Sequence, residues 1–310
     1  MPVVSRPKLG GTPRLVYVRG FSDTNIWRIE TSAPGAPASS PPVVGISSTR
    51  LDIVGDFSPD GRRVAFGSNR SGGFEIWLAD PDGSNAVQLT SMGNTVTAAP
   101  RWSPDGSSIA FQSNLEGQFE IYVVPAAGGK LHRITSHPAS DHVPSFSSDG
   151  QWIYFGSNRT GDWQIWKVSA RGGDAVQVTQ NGGFVAFESW DGAYVYYAVL
   201  SELSAMVQGR PTGPTALWRI PTYGGQPVKL LEGVISEEFA VVKKGIYYVD
   251  RHTGEACLQF LDFATGRLMT VARNLGTVRP LLTATRDGRT ILYTREDSSG
   301  DDLMLVEDFR

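Results

Sequence analysis

The side chains best suited to chemistry gather in one stretch. His132, His137, Asp141 and His142 bring three of the chain's four histidines within eleven residues. Imidazole nitrogen with a carboxylate is a donor set that zinc and similar divalent ions accept, and an open position on such an ion would activate water or polarise a substrate oxygen. Against a metal centre stands the placement. His132 falls on an outer strand, whereas His137, Asp141 and His142 belong to the loop that follows, and no surrounding pattern supports them as ligands. Solvated loop histidines are the better reading, with His137, Asp141 and His142 kept as metal candidates. Asp80-Pro-Asp82-Gly83-Ser84 opens like a calcium loop but lacks the distal glutamate, so it reads as a turn. The one cysteine, Cys257, lies on or beside a strand and reads as a buried, inert thiol. No Gly-x-Ser-x-Gly, Walker-type glycine loop or His-Glu-x-x-His occurs. No catalytic residue and no cofactor is therefore assigned.

The elements that must position any site follow a repeat. Turn glycines recur at Gly61, Gly106, Gly150, Gly192, Gly245 and Gly288, and aspartate precedes all but Gly245, which follows Lys244. The clearest openings read Phe57-Ser-Pro-Asp-Gly61, Trp102-Ser-Pro-Asp-Gly106 and Phe146-Ser-Ser-Asp-Gly150. Asp-Gly suits a hairpin turn because both residues tolerate positive φ. An apolar strand follows each turn, such as Val64-Ala-Phe66 or Ile153-Tyr-Phe155, and then a polar loop, such as Ser68-Asn-Arg70. The next strand carries a column of large side chains, Trp77, Tyr122, Trp166, Trp218, Phe260 and Met304, and outer strands such as Val87-Gln-Leu-Thr90 complete the unit. A period of about 40–45 residues with four short strands per unit is the signature of a β-propeller. Since the column recurs in every unit, it reads as packing between blades rather than as a ligand platform.

The reading is thus all-β, one propeller domain over residues 1–310. The blade count has two solutions. Leu15-Val-Tyr-Val18 followed by Ile26-Trp27 reads as a further hairpin, with an outer strand near Val43–Ile46. If Pro2–Ser5 supplies the strand missing after Met304, there are seven blades. If Val43–Ile46 supplies it, there are six, with the N-terminal hairpin left over. An unpacked hairpin of that apolarity is unfavourable in water, which favours seven.

One unit breaks the period. Gly192 to Trp218 spans 26 residues against fifteen or sixteen elsewhere. Within the surplus, Leu203, Met206 and Val207 share one face of a two-turn helix over Ser201–Gln208, with Gly209 as its stop. In a propeller this loop lies on the face of the links between blades, with Arg70, Glu116 and Arg159. Leu203, Met206, Val207 and Arg210 with those three charged residues form the partner-binding candidates, and their mixed charge suits a protein or peptide.

Composition narrows the partners. A net charge of −3 with interspersed signs gives no basic face, so nucleic acid is not expected as a direct partner. There is no apolar run long enough to span a membrane and no signal-peptide pattern at Met1-Pro-Val-Val-Ser-Arg, which places the chain as written in the cytoplasm. A longer exported or anchored chain would place it in the periplasm. The stretch Ser32–Pro42, rich in proline, alanine and serine, reads as a mobile loop joining two strands. Oligomeric state is not encoded in any of these patterns.

The motifs Ser-Pro-Asp-Gly, Ser-Asn-Arg, Ile-Trp and Gln-Leu-Thr resemble the repeats of the TolB-like β-propeller family over nearly the whole chain. Asp23-Thr-Asn-Ile-Trp-Arg28, Val185-Ala-Phe-Glu-Ser189 and Asp302-Leu-Met-Leu-Val-Glu307 resemble the C-terminal propeller of longer bacterial regulators. In those regulators the propeller follows a winged-helix or kinase domain. The resemblance implies a sensory or protein-binding module with no shared catalytic residues. TolB proteins themselves are periplasmic and bind envelope proteins. Three functions are therefore in play: a non-enzymatic scaffold for a protein or peptide, a propeller lyase or hydrolase working through the histidines, and a detached piece of a larger regulator.

Overall fold

The structure, a computed structural model, describes residues 3–5, 14–93, 95–200, 206–207, 210–211, 214–252 and 254–307. The described residues contain strands and turns and no helix. They form six four-stranded blades in a ring. Five follow directly in sequence, each running from the channel outward. Blade one is Asp52–Phe57, Val64–Ser68, Glu75–Ala79 and Val87–Gln88, and blade two is Thr97–Trp102, Ser108–Glu116, Gln118–Pro125 and His132–Arg133. Blade three is Asp141–Phe146, Trp152–Thr160, Asp162–Ser169 and Val176–Gln177. Blade four is Val185–Glu188, Tyr194–Leu200, Pro214–Pro221 and Val228–Ile235, and blade five is Phe239–Val242, Gly245–Asp250, Cys257–Asp262 and Leu268–Ala272.

Blade six corrects the count of seven. Thr277–Ala284 is its inner strand and Thr290–Glu307 its second, but its third is Arg14–Glu30 and its outer strand Val43–Ile46. The N-terminal segment is not a hairpin: Leu15 and Trp27 lie on one continuous strand. That strand closes the ring, and its distal part, from Arg14 to Asp23, continues past the blade paired with Ser298–Glu307 and, on its other side, Val3–Ser5. The segment that argued for a seventh blade is instead part of one long strand, paired on both sides over Arg14–Val16 and half-buried at Leu15, Val16 and Tyr17.

The aromatic column is corrected with it. In blades one to five the column residue faces an aromatic on the second strand: Trp77 with Phe66, Tyr122 with Phe111, Trp166 with Phe155, Trp218 with Tyr197 and Phe260 with Tyr247. In blade six that place belongs to Trp27, opposite Tyr293, while Met304 pairs with Tyr17 on the ribbon.

Six apolar clusters lie between the blades, one for each neighbouring pair around the ring. The two-residue period of a strand explains how one strand serves two of them. Ala65 faces blade two, while Phe66 faces blade six. Cys257 is buried in blade five, as its place on a strand implies. The repeated polar letters have structural duties as well. Ser58 Oγ donates to Asp60 Oδ1 at 2.6 Å and accepts from the Arg63 amide at 2.9 Å, which tightens the turn. Asn69, Asn114 and Asn158 each accept an amide hydrogen bond from the start of their own blade's inner strand.

Two further expectations change. Ser32–Pro42 is pinned rather than mobile, since the Ala38 amide donates to the Val271 carbonyl and the Gly35 amide to the Tyr247 hydroxyl. Met206–Val207 is no helix but a two-residue strand paired with Arg210–Pro211. Leu203 and the rest of Ser201–Ala205 lie outside the described residues.

Candidate binding site at the channel mouth

Antiparallel strands put every inner-to-second turn on one face of the ring and every second-to-third loop on the other. The turn face carries a cup of about 150 Å³ to which all six blades contribute. Its floor forms because four inner strands are kinked. Pairing shifts register between Val54 and Asp56, Ala98 and Arg101, His142 and Ser145, and Arg279 and Leu282. Three of these bulges hold a non-glycine residue at positive φ: Ala99 at 55°, Val143 at 47° and Leu281 at 86°. Such bulges redirect the side chains that follow, and backbone strain of this kind concentrates at functional sites. Proline inside each of those three strands, at Pro100, Pro144 and Pro280, was the available sign of a bulge, because proline cannot donate to the ladder.

Buried charged side chains cross the floor between blades. Arg101, buried to 6 % exposure, donates from Nη1 to the Gly55 carbonyl at 2.7 Å and lays its guanidinium 4.6 Å from the ring centre of Phe187. It thereby reaches from blade two to blade one and across to blade four. Asp56 lies 3.9 Å from that guanidinium and accepts from the Trp102 amide and the Thr283 hydroxyl, each at 3.1 Å. Burial pushes the Asp56 carboxyl above its ordinary range, against the pull of Arg101 and of these donors. Glu188 accepts from the Ser148 amide and hydroxyl and from the Tyr154 hydroxyl, so it joins blade four to blade three. Burial, and then the Glu188 partnership, push the Tyr154 phenol far up.

The rim is set by the second residue of each turn. Pro59, Pro104, Ser148, Trp190 and Arg286 all line the cup, and blade five has Lys243 at that position. Trp190 is 41 % exposed and donates to the Val241 carbonyl at 3.4 Å. Arg286 rests over Trp190 at 4.8 Å and donates to the Pro104 carbonyl at 2.8 Å, so one side chain ties blade six to blades four and two. Fixed turn letters around one changing position were the signal in the sequence for this rim.

The partner-binding candidates among the described residues lie on the opposite face. Arg70 binds Asp52 at 2.8 Å and covers the Phe66 and Trp77 rings, and Arg159 binds Asp141 while covering Phe155 and Trp166. Glu116 pairs with Arg133. Of the inserted segment, the backbone of Met206, Val207 and Arg210 is described. The histidine stretch is spread out. His132 is exposed on an outer strand, His137 accepts the Ala139 amide at Nδ1, and Asp141 is buried against Arg159. His142 packs among Phe119, Trp163 and Phe184. Among the described residues, no three His, Cys, Asp or Glu side chains come together in a way that could hold a metal ion.

A family model described as the TolB beta propeller domain matches residues 46–209, just over half of the chain. No curated protein matches the chain. Among solved structures, a putative TolB from Agrobacterium tumefaciens is 18% identical with a TM-score of 0.66, covering 89% of this chain and 99% of its own. TolB from Acinetobacter baumannii is 17% identical with a TM-score of 0.61, covering 93% of this chain and 67% of its own. An oligogalacturonate lyase from Vibrio parahaemolyticus is 14% identical with a TM-score of 0.57, covering 92% of this chain and 84% of its own. These likenesses show the fold.

Proposed function

This chain belongs to the TolB beta propeller domain family, and we propose that it is a non-enzymatic scaffold that docks a protein or peptide segment on the turn-face mouth of its channel. The observation that carries this reading is the pairing of an exposed Trp190 with Arg286 on the rim of a cup whose floor Arg101 crosses. Tryptophan and arginine are the residues that dominate binding energy at protein interfaces. The cup itself admits a side chain rather than a large ligand, so most of the contact would fall on the surrounding turns. Its carboxylates favour binding over catalysis, because Asp56 and Glu188 already accept hydrogen bonds that join the blades.

The test is a pull-down from a lysate of the source organism with three proteins: the intact chain, the Trp190→Ala/Arg286→Ala variant, and a chain lacking Glu202–Pro211. A partner kept by the deletion and lost by the double variant supports docking at the mouth. A partner lost only by the deletion moves docking to the opposite face, with Arg70, Glu116 and Arg159. If the folded intact chain captures nothing, the scaffold reading fails.

A further inference from the structure

The turn face is not uniform. Five of its six turns carry aspartate before the glycine, at Asp60, Asp105, Asp149, Asp191 and Asp287, and the sixth carries Lys243-Lys244. Both lysines are exposed and, among the described residues, neither makes an ion pair or a side-chain hydrogen bond. Arg286 in the next turn bonds a carbonyl and covers an aromatic ring, with no carboxylate partner. The aspartates of this sector are occupied by their own turns. Asp191 accepts from Ser189 and the Ala193 amide, Asp287 from Thr285 and the Arg289 amide, and Asp262 from the Thr265 amide and hydroxyl.

The exposed aromatics of this face lie in the same sector. Trp190, Tyr223 at 90 % exposure and Phe263 at 36 % belong to the turns of blades four and five. They rest on a fixed base: Phe263 stacks on Tyr196 across the blade boundary at 5.2 Å with an 8° interplanar angle. The Phe263 amide donates to the Lys244 carbonyl at 3.0 Å, which holds the lysine turn beside the aromatic one. Trp190 reaches blade five through the Val241 carbonyl and blade six through Arg286. Lys243, Lys244 and Arg286 beside exposed aromatic side chains make this the sector of the face richest in cations, whereas the turns at Pro59, Pro104 and Ser148 carry an aspartate and no lysine.

We propose that this aromatic and cationic sector over blades four to six receives an acidic protein segment with apolar side chains between its carboxylates. The proposal rests on the docking reading above and names the chemistry of the partner. Apolar side chains of the segment would cover Trp190, Phe263 and Tyr223, while its carboxylates meet Lys243, Lys244 and Arg286. Charges at such a rim set the association rate, the salt dependence and the choice of partner more than the total affinity.

Fluorescence anisotropy with three labelled peptides of one length tests this. The first spaces leucine and phenylalanine with glutamate, the second spaces the same apolar residues with lysine, and the third spaces glutamate with serine. The first is expected to bind at least about tenfold more tightly than either of the others. The Lys243→Glu/Lys244→Glu variant should weaken the first peptide about tenfold and strengthen the second. Both positions are exposed, so the variant's thermal midpoint serves as the control for folding. Equal binding of the first two peptides, or no effect of the charge reversal, overturns the proposal. If Trp190→Ala abolishes binding while charge reversal does not, docking at the mouth stands and the acidic partner falls. If the third peptide binds as tightly as the first, the aromatic part of the surface has no role and the proposal falls. If no peptide binds the folded protein, the proposal falls while docking at the mouth is still judged by the pull-down.

Discussion

The Tyr247 hydroxyl accepts a hydrogen bond from the Gly35 amide, 2.9 Å away and 212 residues earlier in the chain. The same hydroxyl donates to the Gly288 carbonyl at 2.7 Å. One buried phenol of blade five therefore fastens both the turn of blade six and the loop that leads to its outer strand. Replacing Tyr247 with Phe leaves the ring in place, orphans the buried Gly35 amide and leaves the Gly288 carbonyl to the longer 3.4 Å bond from the Thr31 hydroxyl. We expect a loss of about 1–3 kcal/mol, read from the urea midpoint. No change would mean that the loop is not held at this point.

The matching glycine gives a second expectation. Gly35 has a φ of 74°, and a Cβ there would come within 2.4 Å of Phe260 and 2.6 Å of Met269. Gly35→Ala combines an unfavourable backbone conformation with overpacking and should cost about 2 kcal/mol or more by the same measurement.

Arg101 is the third. Truncating it to Ala removes the donor to the Gly55 carbonyl, the cover of Phe187 and the cation beside Asp56. A loss of about 3 kcal/mol is expected, in the range for breaking a buried ionic contact. With its cation gone, Asp56 would rise further above the ordinary carboxylate range. A variant as stable as the wild type would show that the channel floor does not depend on this crossing.

Much of this fold was legible in the chain because a propeller writes each unit in the same letters. Ser-x-Asp-Gly marks four of the six turns and Thr-x-Asp-Gly a fifth, at Gly288, since the hydroxyl and the aspartate carboxylate build the turn locally. The closure was not legible. Trp27 stands beside Tyr293 only because two strands from opposite ends of the chain share blade six, and no local pattern encodes a pairing of that length. The mouth was missed for a related reason. Asp56, Arg101 and Thr283 meet through three different blades, and each alone reads as an ordinary strand residue. The histidines were read only in part: His132 lies on the outer strand expected of it, whereas His142 is not solvated on a loop but buried on an inner strand among aromatic rings, which come from other strands and loops.

The turn aspartates make stability depend on acid. Their serine or threonine hydroxyl, followed by other local contacts, holds Asp60, Asp105, Asp149, Asp191 and Asp287 below the ordinary value of 3.8. A carboxyl whose folded pKa is lowered contributes stability that is complete above its unfolded value and is lost as pH falls through the folded one. Asp56 and Asp141, raised by burial, work the other way and hide the effect in the wild type alone. The difference between wild type and Asp149→Ala isolates it. That difference should be about 0.5–1 kcal/mol at neutral pH, after allowance for solvent screening, and should shrink as pH falls below 3.8. A difference constant down to pH 2 would rule out the ionised carboxylate as its source.

The pairing of Trp27 with Tyr293 yields the sharpest test of the closure. Trp27 donates to Asp297 at 3.1 Å and lies under the Arg295 guanidinium at 3.2 Å, within the third strand of the closing blade. Met304 stands on the ribbon beyond that blade, opposite Tyr17. If six blades close as described, Trp27→Ala should cost about 2–3 kcal/mol, somewhat less than a fully buried tryptophan because Trp27 is only half-buried. Met304→Ala should cost about 1 kcal/mol or less, since the ring does not depend on it. A seven-bladed ring would keep Trp27 in a column and add Met304 to another, raising the cost of Met304→Ala to about 2 kcal/mol or more, so the Met304 midpoint measured beside that of Trp27 decides between the closures.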